Sequence, residues 1–126
     1  MRGRGFTVIE LLVVLAALAL LLSLVAPRYY AQVDRSREAV LRHNLRAIRT
    51  AIDQYYADRG VYPPNLAALV ETRYLKELPV DPITDRSDSW VPKGRAAGSI
   101  GTQPGIADVA SGGTGQGSDG TAYAAW

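Results

Sequence analysis

The feature that most limits what this chain can become is the run Phe6–Ala26, FTVIELLVVLAALALLLSLVA, twenty-one residues interrupted only by Thr7, Glu10 and Ser23. As a helix rising ~1.5 Å per residue it reaches about 31 Å, the thickness of a bilayer's hydrocarbon core. A membrane-spanning helix is therefore expected. Its exit is marked by Pro27 and by Tyr29 and Tyr30, whose amphipathic rings suit a membrane interface. Inside the run lies one carboxylate, Glu10. An ionised side chain at such a depth costs about 2.5–3.5 kcal/mol on insertion scales, so an acid placed there is a functional residue by default and calls for a partner.

The segment ahead of the run, MRGRG, is short and basic and ends in glycine, and no small-residue cleavage site follows the apolar stretch as it would in a secretory signal. Of the 126 residues, about 100 remain beyond the span, enough for one small domain. The formal charge is +2, and setting Arg2 and Arg4 aside leaves basic and acidic residues in balance. With no interleaving of aromatic and basic residues of the kind that stacks bases, nucleic-acid binding is excluded as a main role. The absence of cysteine excludes disulfides, thiolate metal sites and cysteine nucleophiles together. Arg28, Arg35, Arg37 and Arg42 follow the span, whereas Arg2 and Arg4 precede it, so the positive-inside count alone places the C-terminal part in the cytoplasm.

Beyond Pro27, Leu41, Leu45, Ile48, Ile52 and Tyr55 recur at spacings of four, three, four and three, a single helical stripe, with Arg42, Arg46 and Arg49 expected to cover the other side. Gly60 is a natural C′ residue, so the helix is expected from about 28 to 59. Proline lacks an amide hydrogen and clashes with the carbonyl four residues back; span and stripe should form one long rod kinked at Pro27. Pro63 and Pro64 then enforce extended backbone, Asn65 can cap, and Leu66, Leu69 and Val70 give a short helix its apolar face. Strand-like pieces at Ser89–Val91, Ile106–Val109 and Thr121–Ala125 predict a small antiparallel sheet laid on the stripe, an α+β head. Tyr55 and Tyr56 should pack against that sheet, and Trp90 and Trp126 should cover it. His43 has no second ligand near it in the pattern, and Asp81, Asp85 and Asp88 lie among prolines and serines with no element to fix their separation, so no catalysis is expected.

Between the last two strand-like pieces lies SGGTGQGSDG, ten residues with five glycines. A phosphate cradle is excluded, since no Lys-Ser/Thr pair and no helix follow the glycines. Two readings stay open. The segment is a plain flexible hairpin loop, or it is a calcium site built from the carboxylates of Asp119 and Asp108, the hydroxyls of Ser111 and Ser118, and glycine carbonyls.

Arg2, Arg4, Gly5, Phe6, Thr7, Glu10 and the apolar residues from Leu11 onward together resemble the leader of type IV pilin-like proteins, in particular the major pseudopilins of type II secretion. The segments YPPNLAALVETRYLKELPVDP and DVASGGTGQGSDGTAYAAW look like that family's head. The resemblance implies cleavage between Gly5 and Phe6 by a prepilin peptidase and N-methylation of the new Phe6 amine. It also implies an inner-membrane anchor with a periplasmic head, against the charge count. The expected division is a leader at 1–5, a span and assembly helix at 6–26, its amphipathic continuation at 27–60 and the head at 61–126. Once Gly5 is removed, the Phe6 amine of one copy can lie beside Glu10 of its neighbour, a pairing that sets register because a slipped helix leaves both charges alone. The implied partners are further copies of the chain, other pseudopilins, the peptidase, an inner-membrane assembly platform and lipid. The family also binds calcium in its C-terminal loop, commonly through two aspartates near the final tryptophan; here Asp119 stands alone, with Thr121 and Ala122 at the positions of interest. The implied function is a structural subunit of a periplasmic filament that drives protein export. A surface pilus subunit for motility, adhesion or DNA uptake, and a membrane-anchored binding domain, are the rivals.

Overall fold

The computed structural model describes residues 3–95 and 104–126; Arg2 of the basic leader and positions 96–103 of the head lie outside the described residues. The chain divides into two compact units, the first ending at Asp34 and the second beginning at Arg35. One helix, α1 (Val8–Arg59, 52 residues), supplies the whole regular structure of the first unit and the framework of the second.

In the first unit every described residue from Gly3 to Gln32 is exposed, including the entire apolar run. By length and composition this part of α1 is long and apolar enough to cross a membrane. Pro27 sits inside α1 and does not end it. Its ring removes the donor that would reach the Ser23 carbonyl, while the Ser23 hydroxyl donates to the Leu20 carbonyl at 2.7 Å.

In the second unit the expected stripe is the spine of the core. Leu41, Leu45, Ile48, Ala51, Ile52 and Tyr55 are all buried on α1 and pack with Leu66, Leu69, Trp90, Ile106 and Val109. The helix closes at Gly60, whose φ of 69° is the left-handed conformation that glycine takes at a C′ position and whose amide donates to the Tyr56 carbonyl at 2.8 Å. A short α2 (Ala67–Glu71) follows. As the sequence predicts, the Asn65 side chain accepts from an amide of its first turn, that of Ala68, at 2.8 Å.

The sheet has two strands among the described residues, β1 (Val91–Arg95) and β2 (Gly105–Ala110), antiparallel with Val91 opposite Ala110 and an irregularity between Lys93 and Gly94. Pro92 is tolerated because β1 pairs on one side only in this two-stranded sheet. The expected first strand is displaced. Ser89 and Trp90 lie ahead of β1, and Trp90 turns into the core, its indole N–H donating to the Pro79 carbonyl at 2.8 Å.

The third expected strand is corrected. Tyr123–Ala125 forms a single 3₁₀ turn, and the pairing there is one isolated bridge between Gln116 and Ala122. The cause is local. Asp119 Oδ1 accepts from both the amide and the hydroxyl of Thr121, at 2.9 and 2.6 Å, a side-chain turn that competes with a strand ladder. Tyr56 is also corrected: it is 45% exposed and stacks on Tyr62 with ring centroids 4.4 Å apart, off the sheet.

Candidate functional site

Two places carry the residues singled out in the sequence. At the N-terminus, Gly3–Thr7 has no regular structure and α1 begins at Val8, so the Gly5–Phe6 bond lies in non-helical backbone with Phe6 94% exposed. Glu10 is in the first turn of α1, where negative charge complements the helix dipole. It also completes a reciprocal cap. The Thr7 amide donates to Glu10 Oε2 at 3.3 Å and the Glu10 amide donates to Thr7 Oγ1 at 3.2 Å. This is a capping box, legible in the Thr-x-x-Glu spacing ahead of an apolar run. Both residues are exposed, so the carboxylate stays accessible to a second molecule while its own helix holds its position.

The second place is the loop from Ser111 to Trp126 against the stripe side of α1. Glu38, one turn before Leu41, is a buried acid that the apolar pattern did not reveal. Its Oε1 accepts from the Ser118 amide at 2.7 Å and its Oε2 from the Ser118 hydroxyl at 2.6 Å. Two of the arginines expected to cover the far side reach the loop instead. Arg42 Nη2 lies 3.2 Å from Asp119 Oδ2, and the Arg42 guanidinium sits 4.3 Å from the centroid of the Trp126 ring. Arg49 donates from Nε to Asp108 Oδ1 at 2.7 Å, and from Nη2 to the Val109 carbonyl at 3.1 Å and a Trp126 backbone oxygen at 2.6 Å. Arg42, Leu45, Arg46, Arg49, Asp119 and Trp126 line a cleft of about 270 Å³. His43 is exposed on α1, as expected.

These contacts set the charge states. Hydrogen bonds from Thr121, with Arg42 beside them, hold the Asp119 carboxyl below the usual aspartate range. Partial burial pushes Asp108 up, but the Val109 amide and Arg49 outweigh it and leave that carboxyl lowered as well. Two of the loop's glycines are explained by contact. A Cβ at Gly112 would collide with the Ser89 carbonyl and one at Gly117 with the Trp126 ring, so the loop is glycine-rich where it must lie close to its neighbours.

The four oxygen donors named for calcium are distributed over separate partners. Asp119 serves Thr121 and Arg42, Asp108 serves Arg49, Ser118 donates to Glu38, and the Ser111 hydroxyl donates to Oδ2 of the fully buried Asp81 at 2.5 Å. Among the described residues no three His, Cys, Asp or Glu side chains gather as metal ligands would. Calcium takes about 6–8 oxygen ligands, and these four side chains, each already held by a separate partner, are not gathered to supply them. Asp81, unassigned in the sequence, holds a turn: it also accepts from the Ile83 amide at 2.9 Å.

An exposed membrane-length helix led by a Gly-Phe junction and an acid, continuing into a small α+β head, defines a type IV pilin-like protein. Residues 1–26 match the family model of the prokaryotic N-terminal methylation motif. The chain is 36% identical over 94 residues to the type II secretion system core protein G of Pseudomonas aeruginosa, covering 62% of this chain and 66% of that protein. Identity to the core protein G of Klebsiella pneumoniae is 33% over 97 residues, covering 64% and 69%. Fimbrial protein EcpC of Eikenella corrodens is 32% identical over 82 residues, covering 61% and 54%. The chain thus spans about two thirds or less of the length of these relatives. No solved structure matches. The chain belongs to the type II secretion core protein G family.

Proposed function

We propose that this chain is a structural subunit of a periplasmic pseudopilus, which polymerises through the first half of α1 and drives protein export by type II secretion. The observation that carries the reading is the fully exposed apolar stretch of α1 with Glu10 in its first turn, an arrangement without use in a free monomer in water. The chain waits in the inner membrane with its head in the periplasm. A prepilin peptidase cuts at the non-helical Gly5–Phe6 junction and methylates the new amine, which then pairs with Glu10 of the adjacent copy. The subunit performs no chemistry; other pseudopilins and an inner-membrane platform complete the assembly. The order of events follows from solvation. In lipid the apolar residues are satisfied singly, and Glu10 is the group that gains by leaving, because a paired charge costs far less than a lone one.

The similarity to a fimbrial protein supports a second reading, a subunit of a surface pilus. Co-expression with a prepilin peptidase and its platform tests both. The expected result is a mature chain lighter by residues 1–5, carrying a methylated Phe6, in short filaments confined to the periplasm. Long surface filaments would favour the pilus reading, and an uncut, monomeric chain would overturn both.

A further inference from the structure

The loop on which the family resemblance places calcium is crowded with positive charge. From Ser111 to Trp126 the only carboxylate side chain is Asp119. One of its oxygens already accepts two hydrogen bonds from Thr121, and the other faces the Arg42 guanidinium. Glu38 has both oxygens engaged by Ser118. The cleft beside Asp119 is lined by three arginines, Arg42, Arg46 and Arg49, and Asp119 and Asp108 are already paired with Arg42 and Arg49, so neither acid is left unpaired to attract a divalent cation. What a bound cation would do, drawing the loop's oxygens together and onto the helix, is already done by side chains. Arg49 joins Asp108, the Val109 carbonyl and Trp126, a planar fork satisfying three acceptors at once. Arg42 joins Asp119 and the Trp126 ring.

We propose that the guanidinium groups of Arg49 and Arg42 replace the calcium ion in this head, closing the C-terminal loop on α1 so that the protein folds and assembles independently of calcium. The two do not contribute equally. The Arg42–Asp119 pair is 53% and 44% exposed, where screening leaves an ion pair weak. Arg49 makes three hydrogen bonds and is the stronger clamp.

The test uses the full chain in detergent, and its readout does not depend on filament formation, so it stands or falls apart from the proposed function. Melting temperatures in millimolar calcium and in EDTA should coincide. An increase of several degrees in calcium, reversed by the chelator, would overturn the proposal, because a ligand bound by the native state alone raises the midpoint by mass action. Arg49→Met combined with Arg42→Met should lower the midpoint by roughly 5–15 °C. It should also speed hydrogen exchange at the Gly117 and Tyr123 amides, which bond within the loop. A double variant with the parent's midpoint and exchange rates would equally overturn it. If the double variant does not fold, Arg49→Lys decides: it keeps the charge and loses the fork, and a melting temperature equal to the parent's contradicts the clamp.

Discussion

The two halves of α1 share one continuous backbone and differ in where their apolar side chains go. From Val8 to Gln32 they face outward on every side; from Leu41 to Tyr55 they are gathered on one buried stripe, with charge on the remainder. The acids differ in the same way. Glu10 is exposed and caps its own helix, whereas Glu38 is buried and holds a loop 80 residues away in sequence. A helix apolar all round has its stability decided by whatever surrounds it, lipid or other helices, and a striped one has it decided by its own domain. The first half is therefore left to its surroundings, as the proposed assembly requires, and the second half is a scaffold.

Substitutions that respect this boundary should separate assembly from folding. The largest effect on folding is expected at the stripe. Leu45→Ala or Ile48→Ala should destabilise the head by about 2–5 kcal/mol, the cost of a cavity in a packed core, while Leu15→Ala in the exposed half leaves the head's melting temperature unchanged. Thermal denaturation of the full chain in detergent checks both, and equal effects would erase the distinction. Next is Arg49→Met, which removes three hydrogen bonds at a part-exposed pair while Asp108 keeps the Val109 amide, and should cost about 1–2 kcal/mol after allowance for solvent screening. Glu38→Ala is expected to cost about 1 kcal/mol, since it releases an exposed Ser118 to water, with the loss read as faster exchange of the Ser118 amide. The smallest effect is that of acid. Asp108 and Asp119 have lowered folded-state pKa values, so their stabilisation is present above the unfolded aspartate value of about 3.9 and is lost as pH falls through the folded values. The midpoint should hold steady from neutral pH down to about 5 and drop below about 4; a midpoint that rises on acidification would contradict the ion pairs.

How much of this was legible in the sequence follows from the kind of signal each feature leaves. The apolar run and the stripe are periodic, and a period survives without knowledge of tertiary neighbours, so α1 and its core residues Leu41, Leu45, Ile48, Ile52 and Tyr55 were readable in advance. Asn65 was readable because a cap is local. Long-range polar contacts have no period. Glu38 carries no periodic or local mark, and nothing near it in sequence names Ser118 as its partner. Arg42 and Arg49 flank the stripe closely enough to reach over it, which spacing alone does not disclose. The tail Thr121–Ala125 resembled a strand by composition, yet the Asp119 carboxylate two residues before Thr121 takes the amide a strand would have used. Glycine content likewise signalled flexibility where the fold uses it for close contact at Gly112 and Gly117.

In the proposed filament the first half of α1 is the assembly interface and Glu10 sets its register. Glu10→Val removes the charge and preserves the span. Electron microscopy and membrane fractionation of cells expressing it with the peptidase and platform give the most direct test. The expected result is a cleaved chain that stays in the membrane fraction with an unchanged head melting temperature and forms no filaments. Filaments as abundant as the parent's would contradict it.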